Sequence, residues 1–171
     1  MIPTYIIDGY NLIHKIPEFR SVLHESLEHA REKLEQKLIG FLSTNNAKFI
    51  LVYDGVRMPA QQRQRKVHHL KIIFSKNPQD ADSIIKKLIS QNSNHKNVYV
   101  VSADLDLVNE ARAFHANSLS PVDFINRMQV MKKESFEIRQ KYNHTMSKKE
   151  LAEWLKLFDS EPDESGDNRE A

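Results

Sequence analysis

Tyr5-Ile6-Ile7-Asp8-Gly9 and, further along, Phe49-Ile50-Leu51-Val52-Tyr53-Asp54-Gly55 are two apolar runs that each end on Asp-Gly. Short apolar runs bounded by turn residues read as buried strands. Between them Phe19, Val22, Leu23, Leu27, Ala30, Leu34, Leu38 and Phe41 recur at three- and four-residue steps, with Glu, Lys and Arg filling the other face. That stripe predicts one long amphipathic helix, and strand, helix and strand together make a first βαβ unit.

The alternation continues outward from this unit. Leu70-Lys71-Ile72-Ile73-Phe74 reads as a third strand, and Ser75-Lys76-Asn77-Pro78 breaks the chain before Asp80-Ala81-Asp82. Ile84, Ile85, Leu88 and Ile89 then form a helical stripe with both aspartates near its N-terminus. Val98-Tyr99-Val100-Val101 is a fourth strand, followed at once by Asp104 and Asp106 and by a helix over Leu107 to Phe114. Ala116 to Leu119 reads as a short fifth strand before a helix opened by Pro121. Repeated strand-helix alternation predicts an α/β fold with a mostly parallel sheet and helices on both faces. After Met131 the pattern weakens into a charged connector. Ser147 with Glu150 is a capping-box signature for a last helix bearing Leu151, Trp154, Leu155 and Phe158, expected to pack on the domain. Residues 159–171 have too little apolar content to fold and read as a disordered acidic tail.

At 171 residues and 28% charged content, the chain has the size of one globular domain plus tails. With no cysteine there is no disulfide framework, thiolate zinc site or cysteine nucleophile. The opening residues turn acidic too soon for a secretory signal, and no apolar run approaches membrane-spanning length, so a cytoplasmic protein with no membrane partner is the expectation. The net charge of +2 conceals an asymmetry. Six acids against Arg169 give residues 159–171 a charge of −5, which leaves +7 on residues 1–158. A basic body points to a polyanionic partner, nucleic acid first.

Ligands of open parallel sheets bind beyond the carboxyl ends of the strands, where the strand order reverses. The predicted ends of the first, second and fourth strands carry Asp8, Asp54 and Asp104, while Asp80 and Asp82 open the helix after the third. Any one of these serves equally well as a turn former or helix cap. Taken together, they predict one acidic pocket with Asp8, Asp82 and Asp104 at its core. Crowded carboxylates either raise their pKa values or take up a cation, and oxygen-only ligands favour Mg²⁺ or Mn²⁺. Such an ion polarises a phosphodiester and activates water.

Ile6-Ile7-Asp8-Gly9-Tyr10-Asn11-Leu12-Ile13, Val52-Tyr53-Asp54-Gly55, Phe74-Ser75 with Ala81-Asp82, Val101-Ser102-Ala103-Asp104, and Ser118-Leu119-Ser120-Pro121-Val122-Asp123-Phe124-Ile125 come in that order. Together they resemble the NYN family of PIN-like nucleases, in its YacP-like subgroup. The resemblance implies a PIN-like three-layer domain over residues 1–130, followed by a connector and helix over 131–158. It also implies metal-dependent ribonuclease activity, endonucleolytic in kind, with Asp8, Asp82 and Asp104 as metal ligands and Asn11 completing the catalytic set. Asp106 is either an additional ligand or the cap of the following helix. Two departures stand out: the family's Phe-Asp-Gly is Tyr53-Asp54-Gly55 here, and its Thr-Ser-Asp is Ser102-Ala103-Asp104.

Between the second and third strands lies a polar stretch containing Arg57, Arg63, Arg65, Lys66, His68 and His69. An acidic pocket repels a phosphate backbone unless cations flank it, and this stretch is the predicted RNA contact. The eight histidines show no paired ligand spacing and read as surface residues or RNA contacts; Tyr10 and Trp154 read as packing residues, with Tyr10 close enough to the pocket to leave base stacking open. The competing function is a non-catalytic RNA- or ribosome-binding adaptor on the same fold. Only four glycines and no glycine-rich phosphate loop argue against nucleotide binding.

Overall fold

A computed structural model describes residues 2–55 and 63–144. The elements run β1 (Thr4–Asp8), α1 (Gly9–Lys15), α2 (Pro17–Leu23), α3 (Leu27–Leu42), β2 (Lys48–Tyr53), β3 (Gln64–Val67), β4 (Leu70–Phe74), α4 (Ala81–Ser90), β5 (Val98–Val101), α5 (Leu105–Ala113), β6 (Asn117–Leu119) and α6 (Pro121–His144). The strands form one six-stranded sheet in the order β3-β4-β2-β1-β5-β6, parallel throughout except for β3. The chain steps outward from β1 through β2 to β4, then crosses back to lay β5 and β6 on the other side of β1. The reversal therefore falls at β1 and β5, and the carboxyl ends of those strands are where a ligand site belongs.

Successive strand residues point to opposite faces, so β1 feeds two cores at once. Tyr5 and Ile7 join Phe49, Leu51, Leu34, Leu38 and Phe124 beneath α1, α2, α3 and α6, whereas Ile6 joins Val52, Val100, Ile85 and Leu107 beneath α4 and α5. This is the expected three-layer α/β arrangement. Both faces of the inner strands are covered, which is why they read as continuous apolar runs rather than alternating ones.

Three local expectations need correction. The single long helix is two: α2 ends at Leu23, and Ser26, in extended conformation, caps α3 by accepting the Glu28 and His29 amides. Both pieces present apolar residues to the same core, so the stripe continues in sequence across the break, although Leu27 at the start of α3 is 41% exposed. Ahead of them, α1 occupies Gly9–Lys15 as a helix of its own. Part of the basic stretch is also a strand: β3 pairs antiparallel with β4, and His68 and His69 form the two-residue turn between them, His68 at φ 54°. Finally, helix continues past Met131, with α6 running to His144.

The chain divides into two compact units, Met1–Lys133 and Glu134–Ala171, and in the second the described residues are the helical end of α6. The predicted last helix, Trp154, the acidic tail and Arg57 lie outside the described residues. Among the described residues no helix is long and apolar enough to cross a membrane.

Candidate functional site

Asp8 is both the last residue of β1 and the N-cap of α1. One carboxylate oxygen accepts the Asn11 amide at 3.1 Å, and the other accepts the Ser102 hydroxyl at 3.2 Å. Gly9 follows because nothing larger fits: a Cβ there would lie 2.3 Å from Cε1 of Tyr53, whose ring is buried beneath the turn. Gly55 repeats the logic, since its Cβ would come within 2.7 Å of Cβ of Phe74. Neither Asp-Gly pair has its glycine at positive φ, so close packing rather than backbone conformation requires the glycine.

Ser102 ties two acids together. It is 1% exposed, donates to Asp8, and accepts the Asp104 amide at 3.1 Å. Parallel register makes this possible, because Ile7 pairs with Val101 and the next residues, Asp8 and Ser102, emerge side by side. Asn11 adds a second tie, its side-chain carbonyl accepting the Ala103 amide at 2.9 Å. Asp104 then caps α5 through the Asp106 and Leu107 amides at 2.7 and 3.4 Å. The same device recurs next door, where buried Ser75 after β4 donates to Asp54 after β2 and accepts the Gly55 amide at 3.1 Å.

The third acid arrives on α4. Asp80 is the exposed cap, and hydrogen bonding from the Ser83 side chain first and then from the Ser83 amide, at 2.8 Å, holds its carboxyl below the usual range. Asp82 sits in the first turn. Burial raises the carboxyl of Asp82 above the ordinary range, and the charges of Asp104, Asp80 and Asp106 add to the rise. Asp8 is raised as well, by burial first; the bonds from Asn11 and Ser102 pull it back, while the charges of Asp82 and Asp104 push it further up. The charges of Asp82 and Asp104 thus act on Asp8, and that of Asp104 acts on Asp82. Asp106 is exposed in the first turn of α5 and acts on Asp82 through its charge.

An open cleft of about 460 Å³ holds Asp8, Asn11, Asp54 and Asp82, with Asp80 at its edge. Its described wall also includes Tyr10, His14 and Lys15 from α1. The donor set is all oxygen, and the mutual repulsion among the acids is what a hard divalent cation relieves, so in chemistry the residues fit such an ion. In geometry they stand more open: among the described residues no three Asp, Glu or His side chains are drawn together as a ligand shell.

The predicted RNA contacts are placed unevenly. Arg65 is 51% exposed on β3 and forms an ion pair with Glu35 of α3, a buried carboxylate that the sequence reading passed over. Lys66 is exposed on β3 directly opposite Lys71 on β4, and the Arg63 carbonyl accepts the Phe74 amide at 2.8 Å. Ser102, Ser75 and Lys15 are the site members the sequence reading missed. A serine directly after a strand and a polar pair one turn beyond Asn11 were the available signals.

An open parallel sheet with acids at its reversal point and an acid-capped helix on either side of that point is the architecture of a PIN-like nuclease-type domain. The model of the YacP-like NYN domain matches residues 5–161, and the chain belongs to that family. It is 29% identical over 100 residues to the uncharacterized protein YacP of Bacillus subtilis (strain 168), a match covering 58% of this chain and 59% of the relative's length. The crystal structure of YacP (Rae1) from Bacillus subtilis superposes with a TM-score of 0.65 at 23% identity, covering 92% of each chain. A mutant form of the same protein gives 0.66 at 22% identity over 85% of this chain and 87% of the other. These structures share the fold, and membership of the NYN family supports a nuclease-type or RNA-related role.

Proposed function

We propose that the protein is a metal-dependent ribonuclease that hydrolyses internal phosphodiester bonds of RNA. The observation that supports this most is the coupling of Asp8, Asp82 and Asp104, three acids from separate elements whose charges act on one another across the reversal point of the sheet. Structural caps have no reason to be mutually destabilising; ligands of a cation do. Asp8, Asp82 and Asp104 would hold Mg²⁺ or Mn²⁺, which when bound polarises the phosphodiester and makes water nucleophilic at neutral pH. Ser102 and the Asn11 amide fix the Asp8 carboxylate from two sides. The Asn11 side chain holds the segment leading to Asp104 against α1. An open cleft, rather than an enclosed hole, suits a strand that runs through, hence internal cleavage.

The test is incubation of purified protein with labelled RNAs of varied sequence and Mn²⁺. Cleavage abolished by EDTA and by Asp8→Asn is the expected result; no cleavage of any RNA defeats the catalytic reading.

One observation favours a second reading, an RNA- or ribosome-binding adaptor without turnover: no ligand shell is closed among the described residues. RNA binding indifferent to metal and to Asp82→Ala, with no cleavage, would establish it.

A further inference from the structure

An acidic cleft that takes RNA needs cations of its own, and α1 carries them. This seven-residue helix buries Gly9, Leu12 and Ile13, and its other face, Tyr10, Asn11, His14 and Lys15, lines the cleft alongside Asp8 and Asp82. Lys15 lies seven residues beyond Asp8, about 10 Å along the helix at 1.5 Å per residue. At that separation Lys15 would meet a neighbouring phosphate rather than one held at the aspartates. Tyr10 lines the same cleft and is held from behind: its hydroxyl accepts from Arg31 at 3.0 Å, and its ring leans on Tyr53 with centroids 5.1 Å apart. A ring fixed in this way has little freedom left to lose when a base stacks on it.

We propose that α1 is the rail on which single-stranded RNA lies, with Lys15 and His14 holding a phosphate that flanks the one at the aspartates and Tyr10 stacking an unpaired base. The single-strand requirement follows from chemistry, because a base in an A-form duplex has both faces occupied by its neighbours. The inference rests on the RNA reading above and adds to it the form of RNA and the residues that grip it.

The experiment measures fluorescence anisotropy of a labelled single-stranded RNA with the full-length protein in EDTA, from about 50 to about 200 mM salt, with the matching duplex in parallel. Lys48→Ala, at the far end of β2, is the charge-matched control. Lys15→Ala is expected to weaken binding and to reduce the slope of log affinity against log salt by about 0.7, the value for one phosphate contact on a single strand. Tyr10→Ala should weaken binding about tenfold without changing the slope, while Tyr10→Phe, which keeps the ring, stays within about threefold. The duplex should bind more weakly than the single strand. If Lys15→Ala keeps the slope of Lys48→Ala, or the duplex binds as well as the single strand, the rail is wrong even though RNA binding stands. A rail confirmed by binding with no cleavage in Mn²⁺ would instead refute the ribonuclease and keep the rail. Wild-type protein that binds neither RNA overturns both readings.

Discussion

Replacing Ser102 by alanine removes one oxygen and two bonds, and the loss can be sized. The hydroxyl donates to Asp8 at 3.2 Å and accepts the Asp104 amide at 3.1 Å. A short hydrogen bond to a carboxylate contributes about 1.5 to 3 kcal/mol, but 3.2 Å is long for an O–H to O⁻ contact, so about 1 kcal/mol is reasonable here. The amide of Asp104 loses its acceptor at a position where Ser102 is 1% exposed, at a cost of about 1 kcal/mol more. Ser102→Ala should therefore destabilise the metal-free protein by about 2 kcal/mol, which at about 2 kcal/mol per molar urea lowers the unfolding midpoint by about 1 M. Urea titration followed by far-ultraviolet circular dichroism measures this. Asn11→Ala removes the parallel tie to Ala103, and the double variant should lose less than the two single losses together, because both ties hold the same segment. Ser102→Thr, which keeps the hydroxyl, should recover most of the midpoint. A midpoint for Ser102→Ala within about 0.2 M of wild type would mean that neither bond matters and that the β1 to β5 junction is held by something else.

Gly9→Ala places a Cβ 2.3 Å from the buried Tyr53 ring, and overpacking of this kind should lower stability by about 1 to 3 kcal/mol in thermal or urea unfolding. Arg65→Ala strands the buried Glu35 carboxylate; because Arg65 is half exposed, the expected loss is about 1 to 2 kcal/mol, below that for a fully buried pair, and it should appear with no RNA present. Burial raises Glu35 above its ordinary 4.5 despite the charge of Arg65. A carboxyl raised on folding favours the folded state when protonated, so its contribution is present below pH 4.5 and is lost as pH rises through the higher folded value. Glu35→Gln mimics the protonated form, and its stability relative to wild type should rise with pH across that window; a difference constant from about pH 4 to pH 7 would contradict the assignment.

The inner strands were legible because burial on both faces wrote them as apolar runs, and the candidate acids stood out because Asp8 and Asp104 follow strands and Asp82 opens a helix. β3 escaped notice for the opposite reason: an edge strand is kept from aggregating by charge, and Gln64-Arg65-Lys66-Val67 carries no apolar alternation to read. The break at Ser26 was invisible because periodicity reports the face a helix buries, not whether it is continuous. Arg65 read as an RNA contact because its partner, Glu35, lies 30 residues away and no spacing rule connects them. Ser102 and Ser75 are ordinary residues in sequence, and they matter only once parallel register sets each beside the aspartate of the adjacent strand.

That register explains why two similar Ser-Asp pairs differ in consequence. Asp54 with Ser75 and Asp8 with Ser102 are built alike, yet Asp54 is exposed, while Asp8 is largely withdrawn from water and pressed by two other acids. The difference is position: β2 and β4 are consecutive steps in one direction, whereas β1 and β5 flank the reversal. There α1 and α5 begin on Asp8 and Asp104 as their caps, and α4 brings Asp82 in its first turn. Each helix start presents unpaired amides and a partial positive charge, which offsets part of the repulsion among the carboxylates. The offset is incomplete, as the raised Asp8 and Asp82 show. What remains is an excess of negative charge that the helix starts keep foldable and that the proposed cation would neutralise, so the repulsion left without one would supply part of the driving force for binding it.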